Sequence, residues 1–114
     1  MKRFYLEERL LDYPLRCDVC VLNDGVHVLF TGGCSAHIGS VSIAEPEREL
    51  NSTRFPSHKD YVIGDVWAER ISSALRVRTI VVCGVHYDNL SAEGIRGVIA
   101  VSERMLAETL RLLG

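Results

Sequence analysis

The sequence has no apolar run near the roughly 20 residues that a bilayer span requires, so it is not expected to partner a membrane. It also lacks a surplus of charge of one sign: 13 Lys and Arg stand against 15 Asp and Glu, a formal net charge of −2. That balance gives no electrostatic reason to expect nucleic acid or an anionic lipid surface as a partner. Repeats and low-complexity tracts are missing. So are GxGxxG, GxxxxGK[ST] and GxSxG, which disfavours a conventional nucleotide fold and a nucleophile elbow. No HxxxH or HxH clamp is present to hold a metal from one short segment. The opening stretch MKRFYLEERLLDYP has basic residues near its start but no uncharged apolar segment, unlike a secretory signal. A soluble, cytoplasmic chain is the expectation.

What is present suits one domain spanning residues 1–114, with 47% apolar and 25% charged residues. A chain of this size buries roughly 65% of its unfolded surface and folds without staples. Four cysteines are available. Cys17 and Cys20 form a CxxC, but inside LRCDVCVL, whose alternation reads as a strand. A separation of three along a strand points the two sulfurs to opposite faces. All four thiols are therefore expected to be reduced and to pack rather than to ligate.

The pattern along the chain predicts an α/β (α+β) domain with a mainly antiparallel sheet and two helices packed on one face. Residues 3–11 read as a first strand and 15–22 as a second. Asn23-Asp24-Gly25 signals a tight turn with positive φ. A third strand follows over 26–30, and a fourth over 38–44. Residues 45–57 are polar, with Pro46 and Pro56, and read as a long loop. Ile63, Val66, Trp67, Ile71 and Leu75 form an apolar stripe on a helix over 60–76. TIVVCGV, residues 79–85, is a β-branched run without alternation, as in a strand covered on both faces. Ser91 is the expected N-cap of a last helix, with Glu93 in its first turn and Ile95, Val98, Ile99, Met105, Leu106, Leu110 and Leu113 buried. Cys20, Leu22 and Leu29 leave the other sheet face partly apolar, and a homodimer is expected to use it.

The chemistry-bearing residues gather at element boundaries. His37 opens the fourth strand after Gly32-Gly33, His58 precedes the first helix, and His86 ends the central strand before Tyr87-Asp88-Asn89. Glycine, hydroxyl or carboxylate neighbours of this kind orient an imidazole. His27 falls on the outward parity of its strand and reads as a solvated residue. A divalent cation would need about three donors to converge, and the spacing leaves open whether these do. Each histidine could equally hydrogen-bond backbone, and Asp88 could be a ligand or a turn former. Gly32-Gly33 could aim amides at an anion, with Lys59 or Arg54 assisting, or could form a bulge. A Cys34–His37 pair is a minor alternative, because nothing supplies an oxyanion hole.

Taken together, TGGCSAHIGSVSIAEP, SHKD and CGVHYDNLSAEGI resemble the small LpdD-like prenylated-flavin chaperones that accompany UbiD-type decarboxylases. The match runs over about residues 26–95 and keeps the order of all three signatures. It departs at Cys34-Ser35-Ala36, where a Pro commonly precedes the histidine, and in the loop 47–57. The resemblance implies a non-catalytic accessory protein that holds reduced prenylated FMN and assists its maturation or delivery to a UbiD-type decarboxylase. It implies Gly32, Gly33, His37, Lys59 and Asp88 as cofactor-binding residues, with Asp60 supporting. His37, His58 and His86 would hold a divalent metal. A more distant likeness, of element order alone, is to the proteasome assembly chaperones, which would make the chain a protein-assembly chaperone without a small-molecule site. An enzyme that activates water on a His-bound metal is a third reading, for which no general acid or base is assigned.

Overall fold

The computed structural model describes residues 1–56 and 59–114; His58, one of the three expected metal ligands, lies outside the described residues. The elements run β1 (Lys2–Leu10), β2 (Tyr13–Leu22), β3 (Gly25–Gly33), β4 (Ser40–Ala44), β5 (Asn51–Arg54), α1 (Tyr61–Leu75), β6 (Arg78–His86) and α2 (Ala92–Leu113). One mixed sheet has the order β1-β2-β3-β6-β4-β5. Every pairing is antiparallel except β3 with β6. The domain is thus α+β, with a mostly antiparallel sheet and two helices.

Local chemistry explains most elements. The β1–β2 hairpin closes on Leu11 and Asp12, both at positive φ (53° and 69°), the twist a two-residue turn requires. The β2–β3 hairpin turns at Asn23-Asp24, with Leu22 opposite Gly25. Neither turn residue has the positive φ expected of it. Ser91 caps α2 as expected, its hydroxyl accepting from the Gly94 amide at 3.0 Å.

The inward parity of the sheet supplies Leu15, Cys17, Val19, Val26, Val28, Phe30, Val81 and Cys83, all buried. They pack against Ile63, Trp67, Ala68 and Ile71 of α1 and Val98, Val101, Met105 and Leu106 of α2. Phe30 and Trp67 meet with ring centroids 5.1 Å apart. Burial pushes the Cys17 thiol up to about 12 and the Cys83 thiol well above its ordinary value, so these two are packing groups, as expected.

Five expectations need correction. TIVVCGV is not covered on both faces, since Thr79, Val81 and Cys83 are buried whereas Ile80 and Val82 are half-exposed on the face away from the helices. Val66 and Ile95 are exposed rather than buried, and Gly64 and Ala68 take the place of Val66 under α1. Residues 45–57 contain β5, a strand of four polar residues hidden from any hydrophobic pattern because it lies at the sheet edge. Gly32 and Gly33 are not a turn after β3 but its last two residues, paired with Val85 and His86 of β6. Cys34, read as a packing thiol, is only half-buried at the end of β3.

No helix among the described residues is long and apolar enough to cross a membrane.

Candidate functional site at the carboxyl ends of β3 and β6

Because β3 and β6 run parallel, their carboxyl ends lie side by side. α1 leads back to β6 and α2 leaves it, so the N-termini of both helices sit at this same end. In open sheets, the carboxyl ends of parallel strands are where ligands bind.

Asp60 knits this end together. It occupies the N-cap position of α1, yet its side chain makes no capping bond. Its Oδ1 instead accepts from the Val85 amide at 2.7 Å, and its Oδ2 lies 3.1 Å from His37 Nε2. The carboxylate is buried, so the hydrogen bonds offset part of its lost hydration. His37 Nδ1 lies 3.4 Å from the Ser35 carbonyl. The His37 and His86 rings stand edge to face, with centroids 6.3 Å apart.

A second His–carboxylate pair lies on the surface. His86 Nε2 is 2.9 Å from Asp88 Oδ1. The Cys34 amide donates to the His86 carbonyl at 2.8 Å, and its thiol reaches the same carbonyl at 3.4 Å and Asp88 Oδ2 at 3.7 Å. One ligand atom from each of Cys34, His86 and Asp88 lies within 4.8 Å of the others. Beside them, Tyr87 donates to the Leu10 carbonyl at 2.9 Å and packs edge-on against Tyr13. Burial, and secondarily Cys34, pushes the Tyr87 phenol up, so it stays a neutral donor near pH 7 and pins the end of β6 to the β1–β2 hairpin.

The glycines make these approaches possible. Gly33 sits at φ 79°, and a Cβ there would lie 1.9 Å from the His86 carbonyl oxygen. A Cβ on Gly84 would lie 1.6 Å from the His37 carbonyl oxygen. The glycine pair thus packs against the chain's own backbone, Gly33 against His86 and Gly32 against Pro14 and Leu15 of β2.

Between the starts of α1 and α2 and the end of β6 lies a cleft of about 270 Å³. Val62, Ile63, Val85, Leu90, Ile95 and Val98 line it, with Lys59, Asp60 and His86 supplying polar atoms. Its mouth carries Val62 and Ile95, two exposed aliphatic side chains. A smaller share of the expected site faces the other side of Tyr87, where Cys34 and Asp88 line a second recess with Leu11, Tyr13 and Asn89.

Among the expected residues, the structure thus brings together His37, Asp60 and His86 with Asp88, and it places Lys59 at the neighbouring cleft. Sequence reasoning missed two features. Cys34 joins His86 and Asp88, which no spacing could show. The cleft mouth was also missed, although Val62, an aliphatic residue off the α1 stripe, was a usable signal.

Comparison with known families decides where this chain belongs. The family model described as "Prenylated flavin chaperone LpdD-like domain" matches residues 10–114. The chain belongs to the LpdD-like prenylated flavin chaperone family. The match takes in β2 to α2, and with them every residue of the candidate site described above. Among solved structures, this LpdD-like chain is similar to one from a chaperone complex for yeast 20S proteasome assembly. The TM-score is 0.61 at 14% identity, covering 98% of this chain and 94% of that one. At that identity the likeness concerns the fold alone. No curated protein matches significantly.

Proposed function

We propose that this LpdD-like protein binds reduced prenylated FMN at the carboxyl end of the β3–β6 pair, without turnover, and passes it to a UbiD-type decarboxylase. The observation that carries this reading is the cleft between α1, β6 and α2: an apolar lining with the Lys59 cation and the His86 imidazole at its rim and the buried Asp60 carboxylate beneath. A flat, partly apolar ring system with polar edges is the kind of ligand such a lining accepts. At about 270 Å³ the cleft falls just below the ligand-pocket range, roughly 300–1,000 Å³. It therefore takes part of a flavin and leaves the remainder outside. Lys59 offers a charge to the ligand phosphate. His37 acts through Asp60, and Gly32 and Gly33, paired with Val85 and His86, seat the end of β6 at the rim. Asp88 holds the His86 ring from the other side.

Anaerobic titration with reduced prenylated FMN, followed by its absorbance and fluorescence, tests the reading. Saturable 1:1 binding is expected, weakened about tenfold in Lys59→Ala, a loss of roughly 1.4 kcal/mol. Ile95→Glu places a charge at the apolar mouth and is expected to weaken binding further. Transfer follows from activation of an apo-decarboxylase by the loaded protein. Absence of binding by the folded protein would overturn the proposal, and steady turnover of any substrate would overturn its non-catalytic part.

A second reading, a protein-assembly chaperone, draws on the outer sheet face. The strand registers align Leu29, Val82 and Val41 in one row and Ile80 with Ile43 in the next. All five are half-exposed, and they form a patch of the kind that marks protein contacts. In the flavin-chaperone reading the same patch serves a homodimer. A Val82→Glu variant that stays folded but becomes monomeric in sedimentation would support that use.

A further inference from the structure

We propose that Cys34, His86 and Asp88 form a binding site for a divalent transition-metal cation of the zinc class, with one coordination position left open. This goes beyond the flavin reading and does not depend on it. It also differs from the His37, His58 and His86 set expected from the sequence, since Cys34 takes a place that no histidine spacing suggested.

Geometry comes first. A tetrahedral ion with bonds of about 2.0–2.3 Å holds its donor atoms roughly 3.3–3.6 Å apart. Here His86 Nε2 and Asp88 Oδ1 are 2.9 Å apart, and Cys34 Sγ and Asp88 Oδ2 are 3.7 Å apart. The full set of three donors lies within 4.8 Å. Adjustments of about an ångström in the half-buried Cys34 and the exposed His86 and Asp88 side chains would bring the three donors to that spacing.

The donors also select the ion. One sulfur, one imidazole nitrogen and one carboxylate oxygen suit a borderline-soft ion, whereas Mg²⁺ and Ca²⁺ take all-oxygen shells. Three protein ligands leave a fourth position for water or for a polar atom of a bound molecule, as in open rather than structural sites.

The frame is rigid where it needs to be. Cys34 and His86 stand at the ends of adjacent parallel strands, locked by the Cys34 amide on the His86 carbonyl at 2.8 Å. Tyr87, between two of the ligands, is anchored to the Leu10 carbonyl. Such anchoring keeps the donors together before an ion arrives and lowers the ordering cost of binding.

Cobalt(II) is the probe, added to chelator-treated protein in the absence of flavin. The expected result is 1:1 binding with intense tetrahedral d–d bands and a near-ultraviolet thiolate-to-cobalt band, displaced by Zn²⁺ and not by excess Mg²⁺. Cys34→Ser should abolish the thiolate band and weaken Zn²⁺ binding at least tenfold. Asp88→Asn should also weaken it, and His58→Ala should leave it unchanged. The Cys34 and Asp88 variants should keep the parent's circular dichroism and melting temperature, because neither is a core residue. Cobalt binding without a thiolate band, full affinity in folded Cys34→Ser, loss of binding in His58→Ala, or no binding at millimolar cobalt would each overturn the proposal. A flavin titration that fails while the cobalt result holds would leave the cation site standing and remove only the flavin reading.

Discussion

Two His–carboxylate pairs, their ring centroids 6.3 Å apart, stand at the same end of the sheet, and they do opposite things. In the His37–Asp60 pair the side chains are 20% and 6% exposed, and in the His86–Asp88 pair 48% and 77%. Asp60 joins the β3–β4 connection to the first turn of α1 and to the last residues of β6, so removing it strands other groups. Asp88 lies two residues from its histidine and reaches beyond it only to the Cys34 thiol. The same chemical pair is thus a structural tie where water is excluded and an available donor set where water is present. The reason is the cost of leaving a buried polar group unsatisfied, which exceeds the net worth of a satisfied exposed one.

The comparison can be broken at several points. The largest effect is expected from Gly84→Ala, whose Cβ would fall 1.6 Å from the His37 carbonyl oxygen. Backbone must move there, and a loss of roughly 3 kcal/mol or more in urea unfolding is expected. A variant with unchanged midpoint would show that the His37 segment is not held where it is described.

Asp60→Ala comes next. It leaves the Val85 amide and the His37 ring without their carboxylate, and a loss of about 3 kcal/mol is expected from the same measurement. Asp60→Asn, which keeps one acceptor, should lose about half as much. Equal losses in the two variants would mean that the charge, rather than the acceptor geometry, makes the tie.

His86→Gln and Asp88→Asn should each change stability by no more than about 0.5 kcal/mol, as exposed substitutions do. A destabilisation as large as that of Asp60→Ala would erase the distinction between the pairs. The smallest structural perturbation is thiol labelling of the native protein. Cys34 and Cys20, both partly exposed, should react with a maleimide, while Cys17 and Cys83 should react only after unfolding, because burial holds their thiols protonated. Modification at Cys17 in the folded protein, read by mass spectrometry, would contradict the core described here.

The sequence by itself determined whatever depends on neighbours within a few residues. The alternation of Leu15, Cys17 and Val19, the cap at Ser91, the hairpin after Leu22 and the strand character of TIVVCGV are all local consequences of side-chain period and backbone hydrogen bonding. It also carried the family, through three separated signatures. Tertiary structure decided the rest. β5 was invisible because its four polar residues gain their place from an edge pairing with β4 and bury no apolar face. Val66 and Ile95 match a helical stripe, but how far a stripe extends depends on what packs against it. The parallel pairing of β3 with β6 is set by the crossover through α1, and no local pattern announces it. That pairing brings Cys34 to His86 and Asp88, across 52 and 54 positions of chain. A single residue's chemistry was readable at each place; which residues share a site was fixed only when the strands chose their neighbours.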